Sequence, residues 1–312
     1  YGRTIMKNSN VIFLGVGRDI EEELPTFLIQ VENLANEFNS SKAIFVVGSS
    51  SDNSSQILQY WADKSPNNRT LIHSNEYLFE VVDNPYVKGN KFPREGRLAH
   101  ARNVGLKNMF QQSLNHPPDY VIVIDMDILG WDVNGIADSI GQSLNWGVIC
   151  ANGILAHGIY RDTYAFRMDN INTNHHRAGA DYHIYNITKE EKKVYRHSLK
   201  KNQKLVQKVM NDLTKSNGQM MKVESCFGGL AIYRYNAMVG CEYSHRYPNP
   251  PYLLDCEHVI FHQCVREKNH ADIYTNPKMK LWYGHSPFED LSLKKIYEHI
   301  FDNSRKLRGE LN

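Results

Sequence analysis

Short apolar runs alternate with helical patterns through the first part of the chain, and this alternation constrains the fold most. Residues 11–17, 43–47 and 120–124 are apolar runs with the length of buried strands. Residues 21–38 and 97–111 are the predicted helices between them. Strands that alternate with helices favour a parallel sheet covered on both faces. The predicted fold class is therefore α/β, with a mostly parallel sheet flanked by helices.

The second part of the chain is less regular than the first. Its predicted strands cover residues 146–151, 228–233 and 279–283, and its predicted helices cover residues 189–215, 255–268 and 291–311. No stretch has the composition of a linker between domains. The sequence therefore predicts one continuous domain.

Composition excludes several classes of protein. The chain has 312 residues, of which 41% are hydrophobic, so it has enough apolar material for a core and is not predicted to be disordered. A net charge of +2 gives no reason to expect a nucleic-acid partner. No apolar run approaches the roughly 18–20 residues that a membrane span needs. Five cysteines without a CxxC pair argue against a disulfide framework and against a zinc ribbon.

Asp125 and Asp127 directly follow the clearest predicted strand, residues 120–124. Alternate residues of an extended chain point the same way, so both carboxylates can face one site. An α/β sheet binds ligands at the carboxyl ends of its strands, and carboxylate oxygens suit Mg²⁺ or Mn²⁺. The alternative is that one aspartate caps the next helix and the other is solvated.

Arg97, Arg102 and Asn103 lie in the predicted helix that precedes this strand. At a helix start these groups could reach a nucleoside diphosphate, because guanidinium groups pair with phosphate oxygens. The alternative is an ordinary solvated helix face with small apolar residues buried behind it.

Three further residues are candidates for chemistry. His285 follows the last predicted strand and a glycine, so its ring could turn toward a metal; the alternative is an ordinary surface or core histidine. Asp255 and Glu257 open a predicted helix. Either could serve as a general base for a hydroxyl group, or merely compensate the helix dipole.

The order of these elements resembles a GT-A glycosyltransferase, and most nearly the family of fungal capsule-associated α-1,3-mannosyltransferases with related viral and microbial transferases. In that family a helix like residues 97–103 precedes the DxD strand, and a segment like residues 160–164 follows the next strand. Segments like residues 225–229 and 276–280 come later. The resemblance covers roughly residues 10–290 by element order.

The resemblance implies a single GT-A domain over residues 1–312. Residues 10–130 would bind the nucleotide sugar, residues 131–290 would bind the acceptor, and residues 291–312 would form a C-terminal helix. The activity would be metal-dependent transfer of a hexosyl or pentosyl group to a hydroxyl of a glycan or glycoprotein, with Mn²⁺ or Mg²⁺ as cofactor. The chain lacks a visible anchor, which leaves the compartment open between the cytoplasm and the Golgi lumen.

The resemblance also implies roles for individual residues. The positions that would contact the donor nucleotide sugar are Gly15, Gly17, Arg18, Ser49, Asp52, Arg97, Arg102, Asn103 and Asp125. Asp125 and Asp127 would bracket the metal, and His285 would complete its shell. In an inverting enzyme Asp255 or Glu257 would deprotonate the acceptor hydroxyl, whereas a retaining enzyme needs no such base.

Two other functions are compatible with the motifs. A phosphatase of the haloacid-dehalogenase kind also has a DxD after a strand, but there the motif opens the chain and is followed by Thr or Val where this chain has Leu129. The second alternative is a module on the same fold that binds a nucleotide sugar without turnover.

Overall fold

Helices and strands alternate along the chain in a computed structural model that describes residues 1–74, 94–155, 158–168, 189–215, 218–247 and 255–283. The helices are α1 (Gly2–Lys7), α2 (Leu24–Ala35), α3 (Ser54–Asp63), α4 (Arg94–Gln112), α5 (Val133–Ile140), α6 (Lys189–Lys215), α7 (Tyr235–Met238) and α8 (Glu257–Asn269). The strands are β1 (Asn10–Gly17), β2 (Ser40–Val47), β3 (Arg69–His73), β4 (Tyr120–Asp125), β5 (Ile128–Trp131), β6 (Val148–Ile154), β7 (Met221–Val223), β8 (Leu230–Arg234) and β9 (Ile273–Tyr283).

The strands form one nine-stranded sheet in the order β3-β2-β1-β4-β8-β6-β9-β5, with β7 paired to β9. Strands β1, β2, β3, β4, β6 and β9 run in one direction, whereas β5, β7 and β8 run in the other. The predicted α/β class, a mostly parallel sheet flanked by helices, is confirmed. That the chain forms a single domain stays a prediction.

The first part of the sheet forms because its strands are apolar on both faces. Successive side chains of a strand point to opposite faces. Val11 and Phe13 of β1 lie in one buried cluster with side chains of α2 and α3. Ile12 and Leu14 lie in the other cluster, with side chains of α4 and α8. Helices therefore cover both faces, as the unbroken apolar runs indicate.

The second part of the sheet differs from the sequence prediction. The predicted strand at residues 279–283 is only the C-terminal part of β9 (Ile273–Tyr283), whose first part carries polar residues around Pro277. Strands β5 and β7 and helices α5 and α7 were not predicted. β5 and β7 pair antiparallel with β9 and are short, so neither leaves a periodic signal in the sequence.

Two disulfides correct the expectation drawn from the cysteines. Cys150 of β6 is bonded to Cys226 before β8, and Cys241 is bonded to Cys264 of α8. Cys256 is free and buried. The bonded residues are 76 and 23 positions apart in the chain, and they meet because β6 pairs with β8 and α7 packs on α8. The prediction that the chain has no disulfide framework, drawn from the odd cysteine count and the missing CxxC spacing, is therefore wrong.

No described helix combines the length and the apolar character that crossing a membrane requires. The predicted C-terminal helix at residues 291–312 lies outside the described residues.

Candidate active site

A cavity of about 550 Å³ opens at one edge of the sheet. Strands β1, β4 and β9 share a direction, so Gly17, Asp125 and Tyr283 at their carboxyl ends meet at this edge. The first turns of α4 and α8 reach the same rim, where Arg97 and Glu257 line the cavity. This is the edge at which α/β sheets bind ligands.

One side of the cavity, here named the buried wall, consists of Arg102, Asp125, Glu257 and Tyr283. Nη2 of Arg102 donates to Oδ1 of Asp125 at 3.1 Å, and Nε donates to Oε1 of Glu257 at 3.2 Å. The hydroxyl of Tyr283 donates to Oδ2 of Asp125 at 3.2 Å. The Arg102 side chain is only 5% exposed, so the two carboxylates are needed to compensate its charge.

A second set of residues that line the cavity, here named the open wall, consists of Arg18, Arg97, Asp127 and Arg161. Nη2 of Arg161 lies 4.0 Å from Oδ2 of Asp127, and its guanidinium lies 4.1 Å from the centre of the Tyr283 ring. Arg97 makes no hydrogen bond or ion pair with any described residue. The side chains of Asp127 and Arg161 are 32% and 36% exposed, so this wall is solvated.

Three carboxyl groups line the cavity close to one another, those of Asp125, Asp127 and Asp162. Burial raises the pKa of Asp125 to about 7 against the influence of Arg102, and the carboxylates of Asp127 and Asp162 raise it further. Burial also raises the pKa of Asp162, although that carboxylate accepts the Gly228 N–H at 2.9 Å. A carboxyl with a pKa near neutrality lies in a place where a cation would be favourable.

The two strand-end aspartates differ as ligands for such a cation. Both oxygens of Asp125 already accept hydrogen bonds, whereas the one ion pair that Asp127 makes with a described residue is the 4.0 Å contact with Arg161. No group of three or more His, Cys, Asp or Glu among the described residues is arranged to hold a metal ion. The donor set therefore fits a hard divalent cation only as part of a shell, completed by phosphate oxygens and water. His285, the third predicted metal ligand, lies outside the described residues.

Several residues that line the cavity have buried polar atoms without a hydrogen-bond partner among the described residues. They are Nη1 of Arg102, the Tyr164 hydroxyl and both ring nitrogens of His258. The His258 ring stacks on Phe227 at 3.8 Å, and burial lowers its pKa well below the usual value, so it is neutral. Unpaired buried polar atoms are rare in native proteins, and these four belong to residues that line the cavity.

Backbone geometry at the start of β8 shapes one side of the cavity. Gly228 and Gly229 both have positive φ angles, of 66° and 87°. A Cβ at Gly229 would clash with the Tyr283 hydroxyl, and one at Gly228 would clash with the Ala151 carbonyl oxygen. Both positions therefore require glycine, which keeps Tyr283 beside Asp125.

The structure brings most of the predicted site residues together. Those that line the cavity are Gly17, Arg18, Arg97, Arg102, Asp125, Asp127 and Glu257. Five others lie elsewhere, in surroundings that suit a structural role. They are Gly15, Ser49, Asp52, Asn103 and Asp255.

Of the predicted nucleotide contacts outside the cavity, three make local contacts within the described fold and Ser49 does not. Gly15 packs closely against Met126, and Ser49 is exposed. Asp52 accepts the Glu21 N–H at 3.0 Å and bonds the first residue of α3. Asn103 bonds both the N–H and the carbonyl oxygen of one residue in the loop before α8.

The two candidate general bases, Asp255 and Glu257, differ in whether they line the cavity. Asp255 is fully buried and accepts from Nη2 of Arg167 at 2.6 Å and from the Tyr247 hydroxyl at 2.8 Å. Glu257 lines the cavity and is bonded there to Arg102. Of the two, only Glu257 is placed to meet a ligand in the cavity.

Sequence reasoning assigned no role to several residues that line the cavity. They are Arg94, Arg161, Asp162, Tyr164, Phe227, His258 and Tyr283. The segments 160–164 and 225–229 were noticed through the family resemblance, but nothing in their composition marks them as cavity residues. Asp19 has a left-handed φ of 52° and accepts the Ser51 N–H at 2.6 Å, which ties the ends of β1 and β2 together.

No family model and no curated protein matches the chain. Among solved structures it is similar to S. aureus TarS, at 11% identity and a TM-score of 0.45, over 88% of this chain and 60% of that chain. It is similar to the mannosyltransferase PcManGT from Pyrobaculum calidifontis in complex with GDP-Man and Mn²⁺, at 10% identity and a TM-score of 0.42, over 93% and 61%. It is also similar to glucosyl-3-phosphoglycerate synthase from Mycobacterium tuberculosis, in complex with Mn²⁺, UDP and phosphoglyceric acid, at 8% identity and a TM-score of 0.44, over 97% and 81%.

The chain thus spans about 60% of the first two of these structures. Likeness at this level assigns neither a family nor an activity to the chain. The resemblance to the fungal capsule-associated transferases stays a prediction.

Proposed function

We propose that this protein is a metal-dependent glycosyltransferase that moves a hexosyl or pentosyl group from a nucleotide-sugar donor to a hydroxyl of a glycan or glycoprotein. One observation carries the proposal: Asp125, Asp127 and several arginines meet in one cavity at the carboxyl edge of an α/β sheet. A nucleoside diphosphate sugar needs cationic groups for its phosphates and oxygen ligands for the accompanying cation. The cavity offers both.

The donor phosphates would lie between Arg97 and Arg102. Arg97 has no described partner, and Nη1 of Arg102 is buried without one. Guanidinium groups can offer two parallel N–H donors to a phosphate, so these arginines would fix its orientation as well as its charge. The loop from Gly17 to Asp19 lines the same cavity and would hold the nucleoside.

Asp127 would provide the open carboxylate for Mn²⁺ or Mg²⁺, and Asp125 would stay hydrogen-bonded to Arg102 and Tyr283. When bound, the cation would stabilise the negative charge of the departing nucleoside diphosphate. Asp125 would thereby hold Arg102 in position for the phosphates, because the hydrogen bond fixes Nη2 and leaves Nη1 without a described acceptor.

Glu257 would act on the acceptor if the enzyme inverts the anomeric configuration. Its carboxylate lines the cavity and could receive the proton of an acceptor hydroxyl. The hydrogen bond from Nε of Arg102 to Oε1 orients this carboxylate. A retaining enzyme would use Glu257 only for positioning.

The direct test is a panel of UDP- and GDP-sugars incubated with the purified protein in Mn²⁺ or in a chelator. We expect release of nucleoside diphosphate from one donor class, and its loss in the chelator. The anomeric configuration of the product then decides the role of Glu257, since inversion requires a base.

Other outcomes would favour the alternatives. Nucleotide-sugar binding without turnover, with acceptor glycans present, would indicate a binding module. Hydrolysis of simple phosphate monoesters, with no action on nucleotide sugars, would indicate a phosphatase and contradict the proposal.

A further inference from the structure

We propose that a second groove, beside the catalytic cavity, binds a carbohydrate acceptor that carries acidic groups. The inference rests on the proposed function, because it names the substrate class of the acceptor side. The groove has a volume of about 680 Å³ and lies between α6 on one side and residues 155 and 159–163 on the other.

One face of α6 forms a wall of the groove. Lys204, Lys208 and Lys215 line it and recur at helical spacing, so their side chains project from one face. All three are exposed, and none forms an ion pair with a described residue. Asp212 is the acidic residue that lines the groove with them. The wall is therefore positively charged and free to bind an anion.

The opposite wall is fixed to α6 by a pair of hydrogen bonds. Oε1 of Gln207 accepts the Tyr160 N–H at 3.0 Å, and Nε2 of Gln207 donates to the Tyr160 carbonyl oxygen. On the buried side of α6, Val206 and Met210 pack into the core. The groove is thus built from two segments held in register, rather than from lysines on an isolated helix.

Arg161 joins this groove to the catalytic cavity. It lines both, and on the catalytic side it lies near Asp127 and over the Tyr283 ring. A chain of sugars in the groove would therefore enter the catalytic cavity at Arg161. That position is where an acceptor hydroxyl must arrive to meet the donor.

The lining of the groove suits a charged sugar chain in particular. Leu155 and Ile159 line it and are 36% and 46% exposed, which leaves apolar surface for the C–H faces of sugar rings. Gln203 and Asn211 line it as well and can bond hydroxyl groups. The lysines then select acidic groups, either uronate carboxylates or phosphates.

The test is calorimetric titration of the full chain with three probes: a galacturonic acid hexamer, phosphorylated maltohexaose and neutral maltohexaose. The test variant replaces Lys204, Lys208 and Lys215 with Gln. The matched control replaces Lys7, Lys42 and Lys107 with Gln, which removes the same charge from exposed positions that line neither cavity. The two acidic probes distinguish carboxylate from phosphate as the preferred group.

We expect an acidic probe to bind the wild-type protein more tightly than maltohexaose does. That binding should weaken about tenfold in the groove variant, since each exposed charge contributes modestly, and should not change in the control. Equal binding of all three probes would overturn the proposal, as would equal losses in the two variants. The donor panel described above is scored separately, so a protein without nucleotide-sugar turnover defeats the proposed function whatever this titration shows.

Discussion

The buried wall and the open wall of the cavity use the same residue types in opposite ways. In the buried wall Arg102 is held by Asp125 and Glu257 and is 5% exposed. In the open wall Arg161 and Asp127 are about one-third exposed and lie 4.0 Å apart. Charges of the first kind are fixed by the fold, whereas those of the second are available to a ligand.

This difference separates stability from binding within one site. Removal of a partner from a buried ion pair leaves an uncompensated charge, so the cost appears in the free energy of unfolding. Removal of a solvated charge costs the fold little, so its effect appears only when a ligand is present. Arg102→Ala, Asp127→Asn and Arg97→Lys test this division at the walls themselves. A fourth variant, His262→Gln, tests the burial of α8, which carries Glu257.

The largest effect should follow Arg102→Ala. Asp125 and Glu257 would lose their shared cation, and the free energy of unfolding should fall by about 3–5 kcal/mol. Urea denaturation monitored by circular dichroism measures this. The control is Arg97→Ala, which should change stability by less than about 0.5 kcal/mol. Equal losses in the two variants would mean that the walls are not different in kind.

Asp127→Asn should act on metal-dependent binding alone. We expect the affinity for a nucleoside diphosphate in Mn²⁺ to fall about 100-fold, because the open carboxylate is the free oxygen ligand. Titration with UDP and GDP, with and without Mn²⁺, measures this, and the urea midpoint should match the wild type. Asp63→Asn, at the exposed end of α3, is the control. Retention of full Mn²⁺-dependent affinity by Asp127→Asn would remove this residue from the metal site.

The pH dependence of the free energy of unfolding tests whether α8, which carries Glu257 of the buried wall, is itself buried. His262 lies on α8, one face of which carries Glu257, and bonds Ser225 and the Tyr233 hydroxyl. Burial lowers the pKa of His262 to about 3. The unfolded ring titrates near about 6.5, so below that pH the unfolded chain binds a proton that the folded chain does not.

The free energy of unfolding should therefore fall as the pH decreases, by about 2 kcal/mol from His262 alone between pH 6 and pH 4.5. His262→Gln should show a flatter acid limb in urea melts across this range. His116→Gln, at an exposed position, should keep the wild-type slope. An unchanged slope in His262→Gln would show that the ring is accessible to solvent.

The smallest effect should come from Arg97→Lys. A lysine keeps the charge but lacks the planar pair of donors, so nucleoside diphosphate affinity should weaken about tenfold. The urea midpoint should stay the same, because Arg97 has no described partner in the fold. Calorimetry with UDP and GDP measures the affinity. An unchanged affinity would mean that Arg97 is an ordinary solvated residue of the helix face.

The sequence predicts those parts of the fold whose pattern lies within a few consecutive residues. Residues 11–17 and 120–124 are unbroken apolar runs, which only a doubly covered strand needs, and both proved to be neighbouring strands of the sheet. The placement of Asp125, Asp127 and Arg102 in one cavity follows from that regularity. These contacts depend on elements that are close in sequence or repeat a simple period.

The remainder of the site depends on contacts that no local pattern records. Tyr283 reaches Asp125 because β9 enters the sheet beside β6, and Arg161 reaches Asp127 from an irregular segment. Asp255 and Glu257 have the same chemistry and nearly the same position in sequence. Only their surroundings show that one is paired with Arg167 and the other faces the cavity.

The position of β9 has a consequence for the order in which the molecule is assembled. This strand is the last of the described elements, yet it lies inside the sheet between β6 and β5 and also carries β7. During synthesis, β6 keeps one edge unpaired by any described strand, and β5 lacks its described partner, until residue 273 has emerged. Strand edges left unpaired in this way are a known hazard for aggregation. The hydrogen bond from Tyr283 to Asp125 also forms only at that stage, so the buried wall of the cavity is among the last parts of the molecule to be completed.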